Sequence, residues 1–292
     1  MSLLTATDLP NPFHKGKVRD TYDLGGGFLL MVATDRISAF DVVLPTGIPE
    51  KGIVLTEISA FWFNKTKHII NNHLVALSEE LAGTSSQFQN MPEEVSKRGM
   101  VVHRANRLDV ECIVRGYLAG SAWAEYKSKG TIFGTKSPEG MKEGQKLETP
   151  IFTPTTKAEV GHDENITIEE MKRIFGEEIT NQLENISIKL YNFANNYSVS
   201  KGIILADTKF EFGVIDDKLT LIDEVLTPDS SRFWDLNSFK EGKQPPNFDK
   251  QFVRDWLDSS GWDHETPAPE LPKEIVDKTI ERYKLAYEML TK

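Results

Sequence analysis

Leu205-Ala206-Asp207-Thr208-Lys209-Phe210-Glu211-Phe212-Gly213 alternates polar and apolar residues from its fifth position onward. Successive side chains of a strand point to opposite faces. Asp207, Lys209, Glu211 and Gly213 therefore share one face, with Phe210, Phe212 and Val214 on the other. The aromatic face belongs in a core, which turns an acid, a base, an acid and a bare glycine toward whatever lies opposite. Three charges in a row are costly unless they bind something, and Mg²⁺ with a nucleotide phosphate satisfies the pattern. An edge strand of alternating, solvated ion pairs satisfies it as well.

The strand that follows, Leu219 to Glu224, carries Asp223 and Glu224 at its end. A three-residue connection, Asp216-Asp217-Lys218, pairs Ile215 with Leu219 and sets Glu211 opposite Asp223. A two-residue connection pairs Glu211 with Ile222 and sends the carboxylates to opposite faces. Because Mg²⁺ takes one or two carboxylates together with phosphate oxygens, the three-residue loop is the expectation.

Cations lie upstream. Lys15, Lys17 and Arg19 are two residues apart and, on one extended strand, line one side beside Gly16, an arrangement suited to a polyphosphate. Neither GxxxxGK[ST] nor GxGxxG is present, and basic edge strands also serve to discourage aggregation. Arg115, Gly120 and Ser121 stand where a strand gives way to a helix, whose free N–H groups attract anions. Thr227 to Arg232 is a hydroxyl-rich turn ending in a second arginine, also readable as a helix cap with a type I turn. Asp35, Ser38 and Asp41 occupy a loop at a strand end, a common place for binding groups. Cys112 alternates with valines and reads as packing.

Around these segments the pattern is α+β. Residues 17–24 and 28–34 form a hairpin about Gly25-Gly26-Gly27, followed by a helix over about 53–70. Strands follow at 100–105 and 108–118, the second with Val110, Cys112 and Val114 on one face and Glu111, Ile113 and Arg115 on the other. A short helix from Gly120 stops by Gly130, and residues 137–165 read as a long loop. Thr167 and Glu170 make a capping box. Ile179, Leu183, Ile186, Leu190, Phe193 and Tyr197 then mark a helix ending at Gly202. After the second hairpin the remainder reads as helical. The expected organisation is a β-rich part over 1–105, a mixed part over 106–235 and a helical part over 236–292.

The 292 residues carry a formal charge of -10, which disfavours nucleic acid as a partner. No apolar run approaches the roughly 20 residues of a membrane span. The stretch Met1 to Pro10 lacks the features of a signal peptide. With one cysteine besides, the expectation is a cytoplasmic protein without membrane contact.

Taken together, these segments resemble the SAICAR synthetase family. LADTKFEFG (205–213) fits its signature throughout, and LDVECIVRGYLAGS (108–121) fits apart from Asp109, where the family usually has proline. GKVRDTYD, ATDRISAFD and DEVLTPDSSRFW are similar to the family and follow its order. The central Gly161-His162-Asp163-Glu164-Asn165 stretch resembles the eukaryotic form more than the short bacterial one.

The resemblance implies the SAICAR synthase-like α+β fold, related to ATP-grasp enzymes. It also implies an ATP- and Mg²⁺-dependent ligase joining CAIR (carboxyaminoimidazole ribonucleotide) to L-aspartate through an acyl phosphate. Carried over by position, Lys15 and Lys17 would hold ATP phosphates, Glu111 adenine or ribose, and Glu211 with Asp223 the metal. Lys209 would stabilise the transferring phosphoryl group. Arg115, Ser121 and Arg232 would grip the 5′-phosphate, while Asp207, Asp35, Ser38 and Asp41 would orient the reacting groups. Lys157, His162 and Asn165 would close over substrate or bind aspartate. A small-molecule or protein kinase with a similar ATP cleft is the alternative, although the HRD and DFG signatures are missing. A catalytically silent nucleotide-binding or scaffold protein is the other, and the intact Lys209, Glu211 and Asp223 argue against it.

Overall fold

In the computed structural model, which describes residues 3–81, 84, 86–157, 164–243 and 246–292, the glycine triplet does turn a hairpin. Strands β1 (Pro12–Lys15), β2 (Arg19–Gly25) and β3 (Phe28–Ala33) lead to a two-residue ribbon, β4 (Ser38–Ala39) with β5 (Val42–Val43). Helix α1 (Lys51–Thr66), β6 (Leu74–Leu77), the short α2 (Ser86–Gln89) and α3 (Glu93–Ser96), and β7 (Gly99–His103) follow. The first sheet is antiparallel in the order β1-β2-β3-β7-β6. Helix α1 buries Leu55, Ile58 and Trp62, the spacing that the sequence shows. It ends at Thr66, so Ile69 packs from beyond the helix.

The second sheet is built on one strand. After β8 (Asn106–Tyr117) come α4 (Gly120–Lys129), the ribbon β9 (Thr131–Ile132) with β10 (Thr135–Lys136), and β11 (Lys146–Thr156). Helices α5 (Ile168–Phe175) and α6 (Glu177–Ser200) precede β12 (Ile203–Ile215), β13 (Lys218–Ile222) and β14 (Ser231–Asp235). The strand order is β11-β8-β12-β13, and β12 is long enough to share its other edge between β14 at its start and β13 at its end. Val110, Cys112, Val114, Phe210 and Phe212 are fully buried against α6, as the alternation predicts. Helices α7 (Gln251–Ser259) and α8 (Lys273–Thr291) complete the chain, with α8 lying on α1. One core cluster runs through both sheets, from Trp62 of α1 to Phe210 of β12 and Tyr283 of α8.

Three expectations need correcting. The stretch 137–165 contains β11, an eleven-residue strand rather than loop throughout. Pro150 and Pro154 break its sequence pattern, but β11 is the sheet's outer strand, where a missing N–H costs no ladder bond. The Ser231–Asp235 segment is a strand, not part of a helical remainder. Lastly, Ile215 pairs with Lys218 and Glu211 with Ile222. The loop has two residues, Asp216 and Asp217, with φ of 48° and 58°, the left-handed pair that a tight hairpin turn requires.

The sheets meet beside that hairpin. Leu221 donates its N–H to the Asn71 carbonyl at 2.9 Å and accepts from the His73 N–H at 3.1 Å. Among the described residues no helix is long and apolar enough to cross a membrane.

Candidate active site

The ladder registers turn the outward face of β12 into two rows of charge. Asp207 lies opposite Arg115 on β8 and Arg232 on β14. Its Oδ2 accepts from Arg232 at 2.6 Å and from Arg115 at 3.4 Å. Four residues along, Glu211 lies opposite Glu111. Like charges facing each other across a ladder are destabilising, and Lys209 between the rows offsets them. Its ammonium is 2.5 Å from Glu211, 3.2 Å from Asp223 and 3.6 Å from Glu111.

Asp223 joins this row in spite of the register. It stands just past the end of β13 with φ of 65°, a left-handed conformation that turns its side chain back toward β12. Asp223 also pairs with Arg19, whose other nitrogen is 3.2 Å from Glu224. His73 supports the turn from behind, its Nε2 3.3 Å from the Asp223 carbonyl. Burial pushes that imidazole down to about 4 and leaves it neutral at ordinary pH. Nothing in the sequence marks His73; only the docking of the two sheets reveals it.

The electrostatics follow from proximity. Burial, then repulsion from Asp223, raises the Glu211 carboxyl above its usual range. Burial also opposes ionisation of Asp223, but Arg19, Lys209 and Lys157 outweigh it and hold that carboxyl well below the usual value. For Lys209, burial is outweighed by Glu211, Asp223 and Glu111, so its ammonium holds its proton more firmly than a free lysine. Three cations (Arg19, Lys157, Lys209) thus face four carboxylates (Glu111, Glu211, Asp223, Glu224). Among the described residues no three acids, histidines or cysteines form a preformed metal cage. An all-oxygen donor set with surplus negative charge suits Mg²⁺ held jointly by one or two carboxylates and a phosphate.

Beside the arginine row opens a cavity of about 190 Å³. Arg115, Lys209, Arg232, Lys250 and Arg254 line it against Asp207, Asp229 and Asp249, with Ser230 and Ser231 on one wall. Five cations against three acids give it a positive lining inside a chain whose formal charge is -10. Gly120, with φ of 54°, lets the start of α4 lie on Arg232, since a Cβ there would fall 2.3 Å from its guanidinium. Lys250 and Arg254 escaped the sequence reading because they sit on a connection and a helix with no motif of their own. A larger hollow of about 520 Å³ between α1 and β6 lies away from both charge rows.

The other expected residues divide. Lys15 and Lys17 do not share a strand face with Arg19, because β1 and β2 form a hairpin whose turn contains residues 16–18. Arg36 fills that turn, donating to the Gly16 and Lys17 carbonyls, both at 2.9 Å. Lys15 donates to the Thr7 carbonyl at 3.1 Å, and Lys17 pairs with Asp41 at 2.5 Å, both partners exposed. Glu111 joins the acid row, its carboxylate 3.6 Å from the Lys209 ammonium.

Asp35 is a correction. It is fully buried, paired with Arg98 at 2.8 Å and accepting from the N–H groups of Leu4 and Gly52, and so has no face for a substrate. Ser38 is half-buried on the β4–β5 ribbon. Ser121 is exposed in the first turn of α4, outside the cavity lining. Lys157 lies on Glu211, while Asn165 bridges to Thr155. His162 lies outside the described residues.

Comparison with known proteins gives the chain's family. The sequence model of the SAICAR synthetase family matches residues 12–269. A phosphoribosylaminoimidazole-succinocarboxamide synthase of the bacterium Thermodesulfovibrio yellowstonii is 53% identical, the match covering 95% of this chain and 94% of that one. The structure described as SAICAR-synthase from Saccharomyces cerevisiae complexed with SAICAR superposes with a TM-score of 0.87 at 43% identity, covering 99% and 98% of the two chains. A SAICAR synthetase in complex with ADP shares the fold, with a TM-score of 0.69 at 24% identity over 95% and 97%. The expected preference for the eukaryotic form over the bacterial one does not hold: the bacterial relative is 53% identical over nearly its full length, against 43% for the yeast structure.

Proposed function

The chain belongs to the SAICAR synthetase family, and from that premise we propose how its charge rows perform the reaction. It is an ATP-dependent ligase of purine biosynthesis that joins the carboxylate of CAIR to the amine of L-aspartate. The products are SAICAR, ADP and phosphate. A carboxylate resists amine attack, so activation must precede it. A CAIR carboxylate oxygen attacks the γ-phosphorus and ADP leaves, giving an acyl phosphate. The aspartate amine then attacks the acyl carbon, loses a proton and expels phosphate.

The observation that carries this reading is the adjacency of the two rows on one face of β12. Lys209 stands at the junction, where the γ-phosphoryl group passes between substrates, and offers it a fixed positive charge. Glu211 and Asp223 would hold Mg²⁺, which supplies charge neutralisation on the triphosphate. Lys15 and Lys17, exposed on the β1–β2 hairpin, would meet the outer phosphates. Arg115 and Arg232, with Lys250, Arg254 and Ser121 nearby, would receive the ribonucleotide phosphate, bidentate contacts being natural for a guanidinium. Asp207 would position the two guanidinium groups, and Ser38 and Asp41 would orient the reacting groups. A cytoplasmic location accompanies this reading, as does a nucleotide site between the sheet-bearing parts 1–105 and 106–235, with 236–292 packed on the latter. The kinase alternative is not favoured, since no relative reported above is a kinase.

The test is ADP release from purified protein. Turnover is expected only with ATP, Mg²⁺, CAIR and aspartate together. Release at the full rate without aspartate, or none with the complete mixture, would overturn the assignment.

A further inference from the structure

Asp229 lies at the inner end of the cavity, one residue before Ser230 and two before Ser231, yet its side chain is only 1% exposed. One carboxylate oxygen is 2.8 Å from Nζ of Lys51, the fully buried first residue of α1. The other accepts a 2.8 Å hydrogen bond from the Tyr283 hydroxyl, buried on α8. A single carboxylate therefore fastens the cavity wall to two helices that pack behind it.

The wall itself is a tight turn. Ser230 N–H donates to the Thr227 carbonyl at 3.1 Å, and Thr227 Oγ1 donates to Glu224 at 2.7 Å. Its base is thus held by Glu224 and, through it, by Arg19, while its tip is held by Asp229. The start of α1 is fixed in turn, because Gly52 N–H donates to Asp35, the partner of Arg98.

A sealed ion pair with a hydroxyl is not an economical way to add stability. Apolar groups of similar volume often serve as well or better. What such a group does supply is direction, since the Tyr283 hydrogen bond has a narrow angular range and both contacts strengthen in low dielectric. Here the direction is imposed on the residue next to the serines and Arg232.

We propose that Tyr283 and Lys51 are positioning residues for the reaction, acting through Asp229 to hold Ser230, Ser231 and Arg232 toward the anionic end of the ribonucleotide. The proposal rests on the cavity being the ribonucleotide site. Neither residue touches substrate; each sets the geometry from the far side of the turn.

Tyr283→Phe keeps the ring and removes only the donor. It should raise KM for CAIR about tenfold, the equivalent of one charged hydrogen bond, with KM for ATP within about twofold and a smaller loss in kcat. Asp229→Asn, which preserves shape and ends the ion pair, should show the same split. An unchanged KM for CAIR, or equal rises for CAIR and ATP, would overturn the proposal. So would failure of both variants to fold, since the groups would then be purely structural. Arg232→Ala separates the two levels. If it leaves KM for CAIR unmoved, the cavity assignment fails and takes this inference with it. If it raises KM while Tyr283→Phe does not, only this inference fails.

Discussion

Two sets of buried charge in this molecule are built in opposite ways. In the first, Arg98 meets Asp35 and Lys51 meets Asp229, each pair at 2.8 Å and sealed from solvent. In the second, Lys209 is shared among Glu111, Glu211 and Asp223, and the Lys209, Glu111 and Asp223 side chains keep about a fifth of their surface open. In the sealed set each carboxylate has at least one full cation: Asp35 has Arg98, and Asp229 has Lys51 with Lys250 beside it. The open cluster holds more carboxylate than cation, and burial together with repulsion from Asp223 raises the Glu211 carboxyl. Completeness of neutralisation, more than burial or residue type, separates charges that hold the fold from charges that await a ligand. Asp35 looked like a site residue in the sequence because an aspartate at a strand end reads alike in both cases.

The largest expected effect tests the sealed set. Asp35→Asn leaves Arg98 buried without its counter-charge, and breaking such a pair costs about 3–5 kcal/mol. Denaturant unfolding should show that loss, while kcat per folded molecule stays at the wild-type value. A lowered kcat with unchanged stability would move Asp35 into the open set.

The open set should respond the other way. Lys209→Met should lower kcat by about 10²–10³-fold, the scale of losing one preorganised charge at the transition state. KM for CAIR should change little, while the melting temperature should fall, because Glu111, Glu211 and Asp223 lose the cation that offsets them. The same cluster predicts a metal effect on stability: Mg²⁺ at a hundred times its Kd should add about 2.7 kcal/mol, as any ligand confined to the native state does. Glu211→Gln should abolish most of that shift while retaining the fold. A melting shift of equal size in Glu211→Gln would remove Glu211 from the metal site.

How legible all this was depended on whether one strand carried the information. On β12 the alternation sorted Lys209 and Glu211 from Phe210 and Phe212, and on β8 it sorted Arg115 from Val114. The capping box at Thr167 and Glu170 also formed as read. The strand β11 stayed hidden because both of its faces are covered in its second half, so Phe152 to Thr155 are all buried and show no period. The convergence of Asp223 on Lys209 was expected from the wrong register. A left-handed residue beyond the strand end brings about what the three-residue loop was invoked for. Arg19 was legible as a cation but was read beside Lys15 and Lys17, whereas it pairs with Asp223 and Glu224 without them. Lys250 and Arg254 line the cavity through tertiary packing that no local pattern announces.

The smallest effect concerns Asp249, a sealed acid at the edge of the open cavity, and so an intermediate between the two sets. Burial raises its carboxyl to about 6 from 3.8, against hydrogen bonds from the Gln251 and Phe233 N–H groups at 2.7 and 2.9 Å. The folded protein therefore binds this proton more tightly than the unfolded chain. Its contribution to stability is complete below pH 3.8, falls as pH rises, and is gone above about 6. Glu211, also raised, gives a slope of the same sign, so wild type alone cannot isolate Asp249. Asp249→Asn removes one titration and leaves the other. Its stability relative to wild type should climb between pH about 4 and 6 and then level off, over a constant offset from the weakened acceptor. A difference that stays flat across that window would mean the arginines of the cavity already neutralise Asp249 in full, which would move it among the matched pairs.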